Sequence, residues 1–339
     1  MMRFRAAIAD PATAGPAATA DPAATAGPTA LDRALAFPAG GPVAGPSADR
    51  IREEFAENRF RPEWTWFAED GDGRPLARAL WWGRADSERP VTLDCLQVAP
   101  GVADPAALAA ALLGAGHAAF GRRPGHHLSL PRGWRDDPAL AGAVAWRREA
   151  AARAGLTREI ERLRYEWTLP RLPLGGPPAA GTAAPTGRLV FREGTDEEFL
   201  DAFARLSRGS LDLATRYELE SLTEEELARE DFEFYRDCPG ERSWWRLAYL
   251  PDGTLAGMAV PSATPYHRNV GYLGVVPEQR GRGLIDEVLA EITRFHASEG
   301  AGRVTATTDT VNLPMAAAFD RAGYEVTGVR LVLEAPPAG

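Results

Sequence analysis

Apolar positions recur with two periods along this chain, and the order in which those periods alternate predicts its elements. Val270-Gly271-Tyr272-Leu273-Gly274-Val275-Val276 is a short apolar run, as expected of a buried strand. Leu284, Ile285, Val288, Leu289, Ile292 and Phe295 then fall on one helical stripe. Arg303-Val304-Thr305-Ala306-Thr307-Thr308 is rich in β-branched residues and reads as the next strand. Asn312 and Pro314 open a further helix, which Gly323 stops. Upstream, Trp244–Leu250 and Thr254–Pro261 flank the turn Pro251-Asp252-Gly253. Arg188–Arg192 precedes them as a strand. Helices follow over Phe199–Leu206, opened by Thr195-Asp196, and over Glu224–Leu227 onward, capped by Thr223. Ser210–Ser221 between those helices reads as a polar, acidic loop.

The first half repeats this order. A helix over Ile51–Arg59 leads to two strands around Asp70-Gly71-Asp72-Gly73, a hairpin signal. Then come a strand at Val91–Val98, an Ala-rich helix from Pro105 to Phe120, a short strand at His127–Leu130, a helix over Ala139–Ala154 and a strand at Arg162–Leu169. This weak internal repeat predicts two copies of one fold in tandem. Low-complexity Pro/Ala/Gly/Thr text, in which Asp10–Pro16 is echoed by Asp21–Pro28, makes residues 1–47 a tail without regular structure apart from a short helix near Leu31–Phe37. Residues 48–170 form the first domain, 171–187 a Pro/Gly/Ala linker, and 188–335 the second domain.

Composition narrows the class. The 339 residues suit about two domains, and 45% apolar content supports real cores. Thirty-eight basic against 47 acidic side chains give a net charge of -9, which argues against general nucleic-acid binding. Cys95 and Cys238 lack metal or disulfide-framework spacing, so no metal site is expected. No apolar run approaches the ~18 residues of a membrane helix, and the first ten residues make no signal peptide, so the expected location is cytoplasmic, off the membrane.

The chemistry concentrates between the last apolar strand and its helix. Val275-Val276-Pro277-Glu278-Gln279-Arg280-Gly281-Arg282-Gly283-Leu284 joins strand to helix through a Gly/Arg loop. The first N–H groups of a helix lack internal partners and form its positive end. Glycines let backbone approach a ligand closely, and Arg280 and Arg282 add charge. The loop therefore describes a cradle for phosphate or pyrophosphate. It has neither the Gly-Lys-Ser/Thr end of a P-loop nor the Rossmann glycine pattern. At the matching place the first half has Ala99-Pro100-Gly101-Val102-Ala103-Asp104-Pro105, with no Arg and a carboxylate where phosphate would sit. The first domain is thus expected to be a degenerate copy.

Arg280-Gly281-Arg282-Gly283-Leu284-Ile285, followed by Asn312 and Gly323-Tyr324, resembles motifs A and B of the GCN5-related N-acetyltransferases. The resemblance implies an α/β fold with a mixed sheet, present as two tandem copies. It implies acetyl-CoA as acyl donor and transfer to a primary amine by direct attack in a ternary complex. The pyrophosphate would lie on Arg280, Gly281, Arg282, Gly283, Leu284 and Ile285, where Ile285 replaces the usual Gly or Ala. Pantetheine would run along Leu273, Gly274 and Val275 and meet Asn312, which otherwise reads as a plain helix cap. Phe319 stands where the family often has a tyrosine acid. Asn269 stands where it often has a carboxylate base. His267, on the same strand face as Asn269, Asp309 just after the next strand, and Tyr272 as a donor are the candidate proton carriers; the plainer readings are an exposed histidine and a turn-forming aspartate. The acidic region between the first two helices of the second domain commonly lines the acceptor site in this family. The partner is a small amine or a peptide, and the protein is a monomer or homodimer. A non-catalytic acyl-CoA sensor or scaffold stays open as the alternative.

Overall fold

The computed structural model describes residues 2–8, 28–38, 40–169 and 187–336. The chain divides into two compact units, Met1–Glu159 with Arg330–Pro336, and Ile160–Val329.

The first unit contains β1 (Arg3–Ala6), α1 (Ala30–Ala36), α2 (Ala48–Ala56), β2 (Thr65–Glu69), β3 (Pro75–Trp82), β4 (Thr92–Val98), α3 (Pro105–Phe120), β5 (Gly125–Leu130) and α4 (Pro138–Arg153). β1 to β4 are antiparallel neighbours, and β4 pairs β5 in parallel at Thr92–Gly125 and Leu93–His126. The β2–β3 turn forms as expected, with Asp70 accepting from the N–H groups of Asp72 and Arg74. Trp81, Leu93, Leu112 and Leu113 are fully buried between sheet and α3. Residues 1–47 differ from the expectation. Arg3–Ala6 pairs with β2, while Ala34 of α1 and Phe37 sit in the core, because a few apolar positions at either end of the repetitive text find a face to cover. Residues 9–27, and the linker reading over 171–187 except its last residue, lie outside the described residues.

The second unit contains β6 (Arg158–Thr168), β7 (Val190–Arg192), α5 (Asp196–Ser207), α6 (Leu213–Glu218), α7 (Glu224–Asp237), β8 (Arg246–Tyr249), β9 (Leu255–Ala263), β10 (Arg268–Val275), α8 (Ile285–Ser298), β11 (Arg303–Asp309), α9 (Leu313–Arg321) and the first half of β12 (Glu325–Glu334). Its strand order is β6-β11-β10-β9-β8-β7, parallel at β10–β11 and antiparallel elsewhere. Each unit thus runs hairpin, strand, helix, parallel strand, helix, so the fold is mixed α/β with one topology used twice.

The unit boundaries cut across the sequence reading at two strands. β6, read with the first domain, registers along all of β11 from Arg162–Asp309 to Thr168–Arg303. Arg330–Pro336, at the end of the chain, belongs to the first unit. A hydrophobic pattern identifies a strand but not the strand it pairs with.

One sheet face of the second unit packs on α8 and α9 through Val288, Leu289, Ile292 and Phe319. The other packs on α5 and α7 through Phe199, Phe203, Phe232, Trp245 and Met258. Both of those helices open on a capping box, Thr195 with Glu198 and Thr223 with Glu226. Among the described residues no helix is long and apolar enough to cross a membrane.

Candidate active site

β10 and β11 part company early. Their parallel ladder registers only Arg268–Val304 and Asn269–Thr305. A register shift against β9 follows between Asn269 and Tyr272, with Gly271 at φ +71°. This bulge turns β10 away from β11 and leaves its edge from Tyr272 to Val275, among the described residues, without a strand partner on that side. The side chain of His296, on α8, holds the parting point. Its Nε2 lies 2.9 Å from the Asn269 carbonyl, and burial pushes its pKa down to about 4.

The Gly/Arg loop follows directly. Gly281 and Gly283 both take positive φ, +76° and +69°, and no atom lies within 4 Å of where a Cβ would stand on either. Alternating backbone conformations of this kind turn successive N–H groups to one side. Among the described residues the N–H groups of Gly281, Arg282, Gly283, Leu284 and Ile285 donate to nothing. Three features of the loop suit an anion: the open space over both glycines, five free donors and the start of α8. Leu284 is buried and Ile285 packs against the same core cluster, so the departure at Ile285 is turned toward the interior.

The arginines behave differently from one another. The Arg280 guanidinium donates to the carbonyls of Val275, Gly209 and Leu206 at 3.1, 2.9 and 3.0 Å. It ties the end of β10 to the end of α5 rather than offering its charge to the loop. Arg280→Ala is expected to destabilise the second unit by about 1–2 kcal/mol, measured by urea denaturation, since three charge-assisted bonds are lost at a partly exposed site. Arg282 keeps its side chain at the surface against Gln279. Arg188, which the sequence left as an ordinary strand residue, donates to the carbonyls of Arg282 and Gly283 at 2.9 and 3.2 Å and to Glu287 at 2.5 Å. By holding the loop's carbonyls on one side, it leaves the N–H groups on the other.

Asn312 caps α9, its Oδ1 accepting from Met315 N–H at 3.3 Å. Phe319 is fully buried, stacked on Tyr165 with centroids 4.7 Å apart and tilted against Tyr324, so it is a core residue with no face toward the loop. His267 sits in the turn before β10, where its N–H meets Thr264 Oγ1. The Asn269 side-chain oxygen is buried without a partner.

Asp309 is fully buried at the end of β11. Its Oδ2 accepts from Leu213 N–H at 2.5 Å. Arg162 Nε forms an ion pair with Oδ1 at 2.9 Å. Arg162 also bonds Asp212, the N-cap of α6, at 3.0 Å. Burial raises the Asp309 carboxyl, with the Asp212 carboxylate adding to the effect. Asp309 therefore anchors α6, a helix that the sequence reading left as loop, to β11.

Tyr272 projects from β10 toward α5 and α7. Its ring lies 4.9 Å from Phe203 and 5.7 Å from Tyr235. Burial, and then the carboxylates of Asp231 and Asp212, raise its hydroxyl, so it stays protonated. Asp231, which the sequence reading did not single out, is pushed up to about 7, chiefly by burial and then by Asp212 and Glu230.

The first unit is built otherwise at the matching places. Asp104 caps α3 by accepting from Ala107 N–H, and Arg147 from α4 donates twice to the Leu96 carbonyl on β4. A carboxylate and a buried guanidinium stand where the second unit has free donors and a free strand edge.

Residues 211–324 match the model of the Acetyltransferase (GNAT) family. Among solved structures, a GCN5-related N-acetyltransferase from Sphaerobacter thermophilus is 19% identical with a TM-score of 0.49, covering 86% of this chain and 87% of its own. A tandem GNAT protein from the clavulanic acid biosynthesis pathway is 21% identical with a TM-score of 0.47, covering 87% and 92%. No curated protein sequence matches. The family model spans α6 through Tyr324, and so takes in the parting strands, the free-donor loop and the Asn312 cap. The chain carries an acetyltransferase (GNAT) family domain over residues 211–324.

Proposed function

We propose that the second unit transfers an acyl group from acyl-CoA, acetyl-CoA in the simplest case, to a primary amine by direct attack in a ternary complex. The observation that carries this reading is the run of five unbonded N–H groups from Gly281 to Ile285 beside strands that part. That run suits a pyrophosphate, with Arg282 free to add charge at its edge. Acyl-CoA supplies an acyl carbon activated as a thioester. Leu273, Gly274 and Val275 provide an unpaired strand edge on which an extended arm can rest, and a backbone N–H there polarises a carbonyl set against it. Asn312 keeps its amide nitrogen as a donor while its oxygen caps α9. Tyr272, held protonated, has a proton to give, and His267 stands in the turn before the same strand. Phe319 supports the cradle from within the core.

The test is calorimetric titration of acetyl-CoA into the full chain and into Gly283→Glu. The variant sets a carboxylate over the donors in space that is otherwise open. Binding to the unaltered chain that weakens at least tenfold, about 1.4 kcal/mol, is the expected result. No binding to the unaltered chain, or equal binding by both, would remove the acyl-CoA reading.

A further inference from the structure

An acid at the third position of a helix commonly folds back to accept from the N–H of the residue before the helix, filling one of its orphan donors. This chain does so repeatedly. Asp32 of α1, Glu198 of α5 and Glu226 of α7 accept from the N–H groups of Thr29, Thr195 and Thr223 at 3.0, 2.8 and 2.9 Å. In α8 the acid at the third position is Glu287 and the residue before the helix is Leu284. Glu287 does not fold back. Its Oε1 accepts from Arg188 Nε at 2.5 Å, its Oε2 is buried without a hydrogen-bond partner, and the Leu284 N–H stays free. The second acid of that turn is also drawn off. Asp286 accepts twice from Arg321 of α9, at 3.1 and 2.6 Å.

We infer that Arg188 is a positioning residue for the acyl-CoA site: it restrains Glu287, whose carboxylate would otherwise cap the Leu284 N–H and close the cradle from within. This inference rests on the reading of the Gly281–Ile285 loop as the pyrophosphate site. A carboxylate and a pyrophosphate compete for the same N–H groups at the same positive helix end. Glu287 is covalently next to those donors and only 6% exposed, so without its counter-ion it needs a new partner. The spacing that works in α5 and α7 supplies one, the Leu284 amide. The Arg188 fork opposes this in two ways. One nitrogen holds the carboxylate, and the other two hold the carbonyls of Arg282 and Gly283, which keeps the loop in the conformation that presents its donors. Arg188 itself stands at the edge of the unit. Its side chain is 46% exposed and lines an open cavity of about 460 Å³ with Arg282, Leu250 and Pro251, so its removal leaves no hole in the core.

Two measurements on the full chain test this. The first needs no ligand: amide hydrogen exchange at Leu284, followed by NMR. Exchange should be fast in the unaltered chain, at least tenfold slower in Arg188→Ala, and fast again in Arg188→Ala/Glu287→Ala. The second is calorimetric titration of acetyl-CoA. Arg188→Ala should bind at least thirtyfold more weakly than the unaltered chain, and the double variant should recover at least tenfold of that loss. Recovery on deleting a second side chain is what a merely structural role for Arg188 does not give. Arg188→Gln, which keeps a donor for a carbonyl but has no charge to hold Glu287, repeats both measurements if Arg188→Ala fails to fold. A Leu284 amide that exchanges equally fast with and without Arg188, or a double variant that binds no better than Arg188→Ala, overturns the inference. An unaltered chain that binds no acetyl-CoA while the exchange pattern holds overturns the acyl-CoA reading instead, and leaves the restraint of Glu287 standing.

Discussion

Asp309→Ala is expected to lower the stability of the second unit by about 3–5 kcal/mol, read as a shift in the urea midpoint at pH 7. The carboxylate has no exposure and holds two partners from different elements, the Leu213 amide of α6 and the Arg162 guanidinium of β6. Removing it leaves a desolvated N–H and takes one carboxylate from the guanidinium, which keeps Asp212. Both penalties fall on the side of the sheet where α6 begins. A catalytic base would behave otherwise. Its removal would abolish turnover in a protein of unchanged stability, and that outcome would return Asp309 to the reacting centre.

Gly271→Val should cost about 3–4 kcal/mol by the same measurement. Two effects add. The residue holds φ +71°, which a β-branched side chain tolerates poorly, at about 1–3 kcal/mol. Its Cβ would stand 2.1 Å from the Val260 carbonyl oxygen and 2.8 Å from Ser262 Cβ, and backbone on the neighbouring strand cannot yield cheaply. The variant that survives should also bind acetyl-CoA less tightly, because straightening the bulge re-pairs the β10 edge. A variant as stable as the parent would show that the bulge relaxes without cost, so that the parting of the strands has another cause.

The shape of the Gly/Arg loop was legible because its signals are local. A strand run, two glycines and a helical stripe lie between Val270 and Phe295, and the positive φ of Gly281 and Gly283 is what those letters allow. What holds the cradle was not legible. Arg280 reaches Gly209 and Leu206, and Arg188 reaches the loop from the far side of α5 and α7 in sequence, so their partners exist only once the sheet is assembled. Arg280 looked like a phosphate ligand by charge alone. α6 escaped notice because six residues behind Asp212 are too few to display a helical period. Asp231 escaped because the sequence reading followed this helix only through its Thr223 cap and Glu224–Leu227. Phe319 was visible as an apolar departure from tyrosine, yet its stacking on Tyr165 depends on β6 lying in the second unit.

That placement of β6 has a practical corollary for dissecting the protein. A fragment begun at residue 188, the natural choice from the linker text, omits the strand that covers β11 from Arg303 to Asp309. Seven ladder positions would face water as an open edge ready to recruit a foreign strand. The same cut discards Arg162, and with it the guanidinium shared by Asp212 and Asp309. Such a fragment should aggregate on expression and be misread as an inactive enzyme. A piece meant to report on acyl transfer has to start before Ile160 and carry the linker within it.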